Sequence, residues 1–151
     1  MNSNGPTGSP WGYAVEGQPS TMLQIALQAV HRNGQVLQTL PQCNGEIGEW
    51  VRRVAECLRN GSCRAAVLFC RDTHLACCIA NKVPGVRAAA VGTIAQARRA
   101  LQQLGANLLV VEMAECTYFE CKEILHLCCQ GADCPPHIAC ILQELDGHAH
   151  R

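Results

Sequence analysis

The chain has 151 residues, 48% of them hydrophobic, and its 12 basic residues balance its 12 acidic ones. That length buries one sizeable core, and the even charge offers no electrostatic footprint for nucleic acid or an anionic membrane. No apolar run approaches the roughly 18 residues of a membrane span, and Met1 to Pro10 has neither a basic region nor an apolar stretch, so a cytoplasmic protein without a membrane partner is expected.

Residues 1–10 are rich in Gly, Pro, Ser and Asn and lack periodicity, which predicts a disordered leader. One folded domain over 11–146 and a flexible tail at 147–151 follow. Short apolar runs then alternate with amphipathic stretches of about 10 to 15 residues, the pattern of repeated βα units around a parallel sheet. Strands are predicted at Trp11–Val15, where Gly12 interrupts the run, and at Gln35–Leu40, Ala65–Cys70, Val86–Val91 and Leu108–Glu112. Met22, Ile25, Ala26, Ala29 and Val30 mark the first helical face, with Thr21 and Gln24 as a capping box and Gly34 as the stop. Ile47, Val51, Val54, Ala55 and Leu58 mark a second helix that ends at Asn60-Gly61. Thr93 with Gln96 opens a helix carrying Ile94, Ala97, Leu101 and Leu104, and Thr117 with Glu120 opens one carrying Cys121, Ile124, Leu125 and Cys128. Pro135-Pro136 starts a last short helix to about Leu145.

The twelve cysteines lack paired C-x-x-C elements, and no secretory signal is expected. Free cysteine behaves as a small buried hydrophobe, so most are expected to fill core positions. A metal or redox role for the group from Cys116 to Cys140 is the competing reading; no metal and no cofactor are assigned. Ligands of a doubly wound sheet bind beyond the carboxyl ends of its strands, which selects the loops Glu16–Ser20, Cys70–Leu75 and Val91–Thr93. Only the second holds a nucleophilic and titratable cluster. Cys70-Arg71-Asp72-Thr73-His74 runs from a strand end into a helix start, where backbone N–H groups and the helix dipole favour a thiolate. A lowered Cys70 pKa is therefore expected, with Cys70 as candidate base, Arg71 as anion holder and Asp72 or His74 as proton relay. The bland alternative is a core cysteine, a surface histidine and an Arg71–Asp72 pair in water, worth little.

Val54-Ala55-Glu56, Cys70, Ile79-Ala80-Asn81-Lys82-Val83-Pro84-Gly85, Arg87-Ala88-Ala89, Ala106-Asn107 and Lys122-Glu123-Ile124 carry a resemblance without a gap from about Glu46 to Leu125. The frame resembles the ribose-5-phosphate isomerase B and galactose-6-phosphate isomerase family. That resemblance implies a single three-layer α/β/α Rossmann-like domain with a five-stranded parallel sheet, a phosphosugar or small anionic ligand, and a homodimer or dimer of dimers whose sites draw on both chains. It sets Cys70 where cysteine-type members keep their base, and Glu16, Arg71, Thr73 and Asn81 at substrate-binding positions.

The same resemblance marks departures. Where the family has glycines around a threonine, this chain has Arg71-Asp72-Thr73-His74-Leu75, so side chains occupy space that backbone approach requires. The glutamate of the other subgroup falls at Ala76, the ring-opening histidine at Gln103, its neighbouring asparagine at Leu104, the phosphate-binding arginine at Ala114 and a tyrosine at Ile47. The family's Ser-Asp-His-Ala-Gly aligns with Val15-Glu16-Gly17-Gln18-Pro19, which keeps an acid and loses the histidine. A single lost proton shuttle costs about 10²- to 10⁴-fold. The expectation is a divergent isomerase scaffold with a largely replaced site and absent or very slow turnover, or a non-catalytic binding or assembly module on the same fold.

Overall fold

The computed structural model describes residues 11–32, 37–43 and 45–149. The apolar runs form parallel strands β1 (Trp11–Val15), β2 (Leu37–Thr39), β3 (Ala66–Cys70), β4 (Ala88–Ala90) and β5 (Leu108–Glu112). Among the described residues they make one five-stranded sheet in the order β2-β1-β3-β5-β4. Helices α1 (Thr21–Arg32), α2 (Ile47–Arg59), α3 (Thr73–Ala80), α4 (Ile94–Leu104), α5 (Tyr118–Gln130) and α6 (Pro136–Ala149) connect and cover it. Gly12 does not break β1; it pairs in register with Gln38 and Ala66.

Alternation along the strands divides the core. Ala66, Leu68 and Cys70 of β3 join Leu108 and Val110 of β5 in a cluster with α2 and α3. Val67 and Phe69 join Leu109 and Val111 in a second cluster with α1, α4 and α5. The period of two in a strand sends successive side chains to opposite faces, so a continuous apolar run is the signature of a strand covered on both sides. All five β3 residues are buried. The edge strands β2 and β4 are three residues each, which limits the unpaired ladder presented to other chains.

Several sequence expectations shift. On α1 the buried face is Leu23, Ala26 and Val30, while Ile25 is 50% exposed. The α1 cap is Ser20, whose Oγ accepts from Leu23 N–H at 3.2 Å, and Gln24 Nε2 donates to Pro19 O. Thr21 is already helical, so the expected Thr21–Gln24 box starts one residue late. Thr93 accepts from Gln96 N–H as expected, and Gln96 Oε1 accepts from Gly92 N–H. Thr117 and Glu120 form the full reciprocal box. Helix α6 continues through 147–149, where a flexible tail is expected. The leader at 1–10, the start of the second predicted strand at Gln35 and the stop at Gly34 lie outside the described residues.

Edge strand β4 is held by side chains as well as by β5. Asn81, the C-cap of α3, donates from Nδ2 to Ala88 O at 3.0 Å and accepts from Ala88 N–H at 2.8 Å. Asn107 accepts from Arg87 N–H at 2.7 Å and donates to Gly85 O, and Arg87 Nε donates to Gly105 O. Gly105 ends α4 in the left-handed region at φ 62°. A Cβ there would collide with the backbone of Cys134. Left-handed backbone alone costs a non-glycine residue about 1–2 kcal/mol. Gly105→Ala should therefore lower stability by more than about 2 kcal/mol, read as a fall in the urea midpoint with an unchanged slope.

Candidate functional site

The chain reverses its direction of travel across the sheet between β1 and β3, because β2 lies to one side of them and β5 and β4 to the other. Such a switch point opens a crevice at the carboxyl ends of the strands. Glu16, just past β1, and Arg71, just past β3, meet there with Nε to Oε1 at 3.1 Å. Glu16 N–H also donates to Phe69 O at 2.8 Å, which ties the loop to β3. The Arg71 side chain is 89% exposed and that of Glu16 15%. In that setting the pair contributes at most about 1 kcal/mol.

Cys70 ends β3 and is 1% exposed, packed in the cluster with α2 and α3. Its thiol is pushed up to about 12, first by burial and then by Glu16, Cys77, Asp72 and its register partner Glu112. This corrects the expectation of a lowered pKa. The α3 N–H that was to favour the thiolate is occupied, since Asp72 is the N-cap and its Oδ1 accepts from Leu75 N–H at 3.2 Å. The surrounding carboxylates disfavour a second negative charge. Within Arg71–Leu75 no residue has positive φ, so the alternating backbone of an anion-cradling nest is not formed.

The remaining residues separate. Thr73 and His74 line a cavity of about 260 Å³ with Ala90, Gly92, Gln96, Val111, Glu112, Glu115 and Cys116. Another cavity of about 290 Å³ lies over the ends of β1 and β2, lined by Tyr13 to Val15, Gly17 to Pro19 and Leu40 to Cys43. Cys70, Arg71 and Asp72 line neither. Asn81 sits at the other end of the sheet with both ends of its amide on Ala88. Thus Glu16 joins Arg71, Thr73 joins His74, and Asn81 lies apart from both, bonded to Ala88 beside a cavity of about 300 Å³ under α6. Gln96, Glu112, Glu115 and Cys116 line the cavity of Thr73 and His74 without standing in a motif. Of these, Glu112 is legible in the sequence, because it closes an apolar strand where ligand loops gather.

All twelve cysteines are free thiols. Among the described residues no group of three or more His, Cys, Asp or Glu is arranged to hold a metal ion, and no helix is long and apolar enough to cross a membrane.

The family profile described as Ribose/Galactose Isomerase matches residues 42–127, more than half of the chain. No curated protein matches the sequence significantly. Among solved structures, ribose-5-phosphate isomerase B of Clostridium thermocellum is similar at TM-score 0.76 and 17% identity, covering 93% of this chain and 97% of that one. The Mycoplasma genitalium ribose-5-phosphate isomerase B with bound ribulose-5-phosphate gives 0.75 and 20%, with 94% and 97% covered. The Thermotoga maritima enzyme gives 0.76 and 14%, with 92% and 98% covered. At these identities the likeness is one of fold.

The buried thiols carry a pH dependence. Cys63 and Cys77 are raised to about 11 and Cys70 to about 12, against 9.0 when unperturbed. The unfolded chain loses these protons first, so their stabilisation is complete below about pH 9 and is lost as pH rises toward the folded values. Urea unfolding should show stability falling as pH rises from about 9 toward about 11, with a shallower fall in Cys70→Ala. In the folded protein near pH 8, iodoacetamide should label the exposed Cys78 and Cys140 and spare Cys70 until urea is added.

Proposed function

The chain belongs to the ribose/galactose isomerase family, and we propose that it uses the scaffold to bind a phosphosugar or small anionic ligand at the mouth of β1 and β3, with aldose–ketose turnover absent or very slow. The observation that carries this reading is Cys70. An isomerase base must take a proton from the carbon beside the carbonyl and needs a pKa near the working pH. A thiol 1% exposed and pushed up to about 12 meets neither requirement. The relay is weakened too, because Asp72 is engaged with Leu75 N–H and the resemblance sets Gln103 where a histidine would open the sugar ring.

Binding has better support. Arg71 spends Nε on Glu16 and directs a largely exposed guanidinium to the strand ends, and its terminal nitrogens match the geometry of a phosphate. Glu16 orients Arg71. The Mycoplasma genitalium isomerase with bound ribulose-5-phosphate favours the phosphosugar class. A homodimer or dimer of dimers fits the family, and Ile141 and Leu145 on α6, 52% and 58% exposed, suit contact with another copy.

A derived isomerase is the second reading, favoured by one observation: His74 and Thr73 share a cavity with Glu112 and Glu115, a set able to move protons. One assay separates the two. The purified protein incubated with ribose 5-phosphate should give no more ribulose 5-phosphate than its Cys70→Ala and His74→Ala variants, while calorimetry detects binding that Arg71→Ala weakens by about 10- to 100-fold. Turnover abolished by Cys70→Ala or His74→Ala would sink the binding-module reading.

A further inference from the structure

The loops at the amino ends of the strands enclose a cavity of about 350 Å³ whose lining includes Arg64, Arg87, Asn107, Gln130, Gly131 and Asp133. Arg64 lies two residues before β3 and Arg87 directly before β4, while Asn107 directly precedes β5, the strand between them. Parallel pairing sets Ala66, Leu108 and Ala88 in one row. The two arginines therefore start from backbones about two strand spacings, or ~10 Å, apart, and line one cavity from either side of β5.

Both guanidinium groups are held by backbone carbonyls. Arg64 Nη2 donates to Cys129 O at 3.0 Å, at the end of α5. Gly131 leaves room for that contact, since a Cβ there would stand 3.3 Å from Arg64 Nη2. Arg87 Nε donates to Gly105 O at 3.0 Å and Nη1 to Gly85 O at 3.3 Å. Carbonyls orient a guanidinium without cancelling its charge, and of five N–H donors on each these bonds use one on Arg64 and two on Arg87. Among the described residues neither arginine forms an ion pair, and Asp133 is the one carboxylate in the lining. Arg64 is exposed and Arg87 half-buried, so the free donors are open to a solute.

We propose that this cavity is a second anion site, at the opposite end of the sheet from Glu16 and Arg71, which takes a phosphate group, free or as a phosphomonoester. Two oriented guanidinium groups supply planar forks of donors, the geometry that matches phosphate oxygens, and their charge exceeds that of Asp133. The volume lies at the lower end of small-molecule pockets, about 300 to 1,000 Å³, which leaves room for the carbon skeleton of a small ester. Seven residues of nearly extended chain separate Arg64 from Arg71, roughly 20 Å. An anion held at one end is out of reach of the other, so this site stands whether or not the one at Arg71 binds.

The test is a titration of isotope-labelled Arg71→Ala protein with inorganic phosphate at physiological ionic strength, followed by amide NMR shifts. Removing Arg71 silences the other end of the sheet. Saturable shifts are expected at Asn107, Gly131 and Ala132, with the loops at Gly17 and Thr73 unmoved. In the same background Arg64→Ala should weaken binding about 10- to 100-fold, and Arg64→Lys should recover part of the loss. Asp133→Asn keeps the Arg64 bond to Cys129 and should tighten binding several-fold, because it removes the carboxylate that opposes the anion. A parallel titration with glycerol 3-phosphate separates the two sources: tighter binding than inorganic phosphate assigns the ester, equal or weaker binding the free anion. No saturable shift with either compound, shifts confined to other loops, or an affinity unmoved by both Arg64→Ala and Asp133→Asn would overturn the proposal.

Discussion

Strand β3 has no solvent-facing side. Its residues from Ala66 to Cys70 are all within 1% of complete burial, paired to β1 on one edge and β5 on the other and covered by helices above and below. A backbone so placed satisfies its polar groups through the parallel ladder, and its side chains must be apolar in both directions. The two helical layers are organised around that requirement. So is the chemistry of Cys70, because the last position of such a strand inherits the same apolar packing.

The segment that carries the family likeness serves the scaffold. Asn81 brackets the backbone of Ala88, Asn107 brackets the turn at Gly85 and Arg87, and Arg87 reaches the end of α4 at Gly105. Each bond replaces ladder or helix-end partners that a three-residue edge strand and two helix termini would otherwise leave to water. Residues selected for this work can persist whatever happens at the opposite end of the sheet. A strong likeness in this stretch is therefore informative about fold and uninformative about turnover.

Helix faces and thiol chemistry show where local pattern stops being sufficient. Ile25 and Leu23 are equally apolar, and only the way α1 lies against α5 and the sheet makes Leu23 the buried one. Ser20 and Thr21 are both capping residues by type, and a shift of one residue decides which hydroxyl meets an N–H. Cys70 stands three residues before α3, a position that favours a thiolate when the helix N–H groups are free. Asp72 takes one of them, and Glu16 and Glu112 arrive from other strands with negative charge.

The amino-acid sequence by itself determined the alternation of strands and helices, the parallel α/β architecture, the β3 and β5 runs, the caps at Thr93 and Thr117 and the family, because these rest on periodicity, turn chemistry and residues near one another in the chain. Only the tertiary structure decided that Glu16 pairs with Arg71, that His74 shares its cavity with Glu112 and Glu115, that the Asn81 amide is bonded to Ala88, and that Cys70 is buried. Those outcomes depend on strand order and on which distant groups enclose a side chain. Burial and charge act through space, and local sequence does not record that distance.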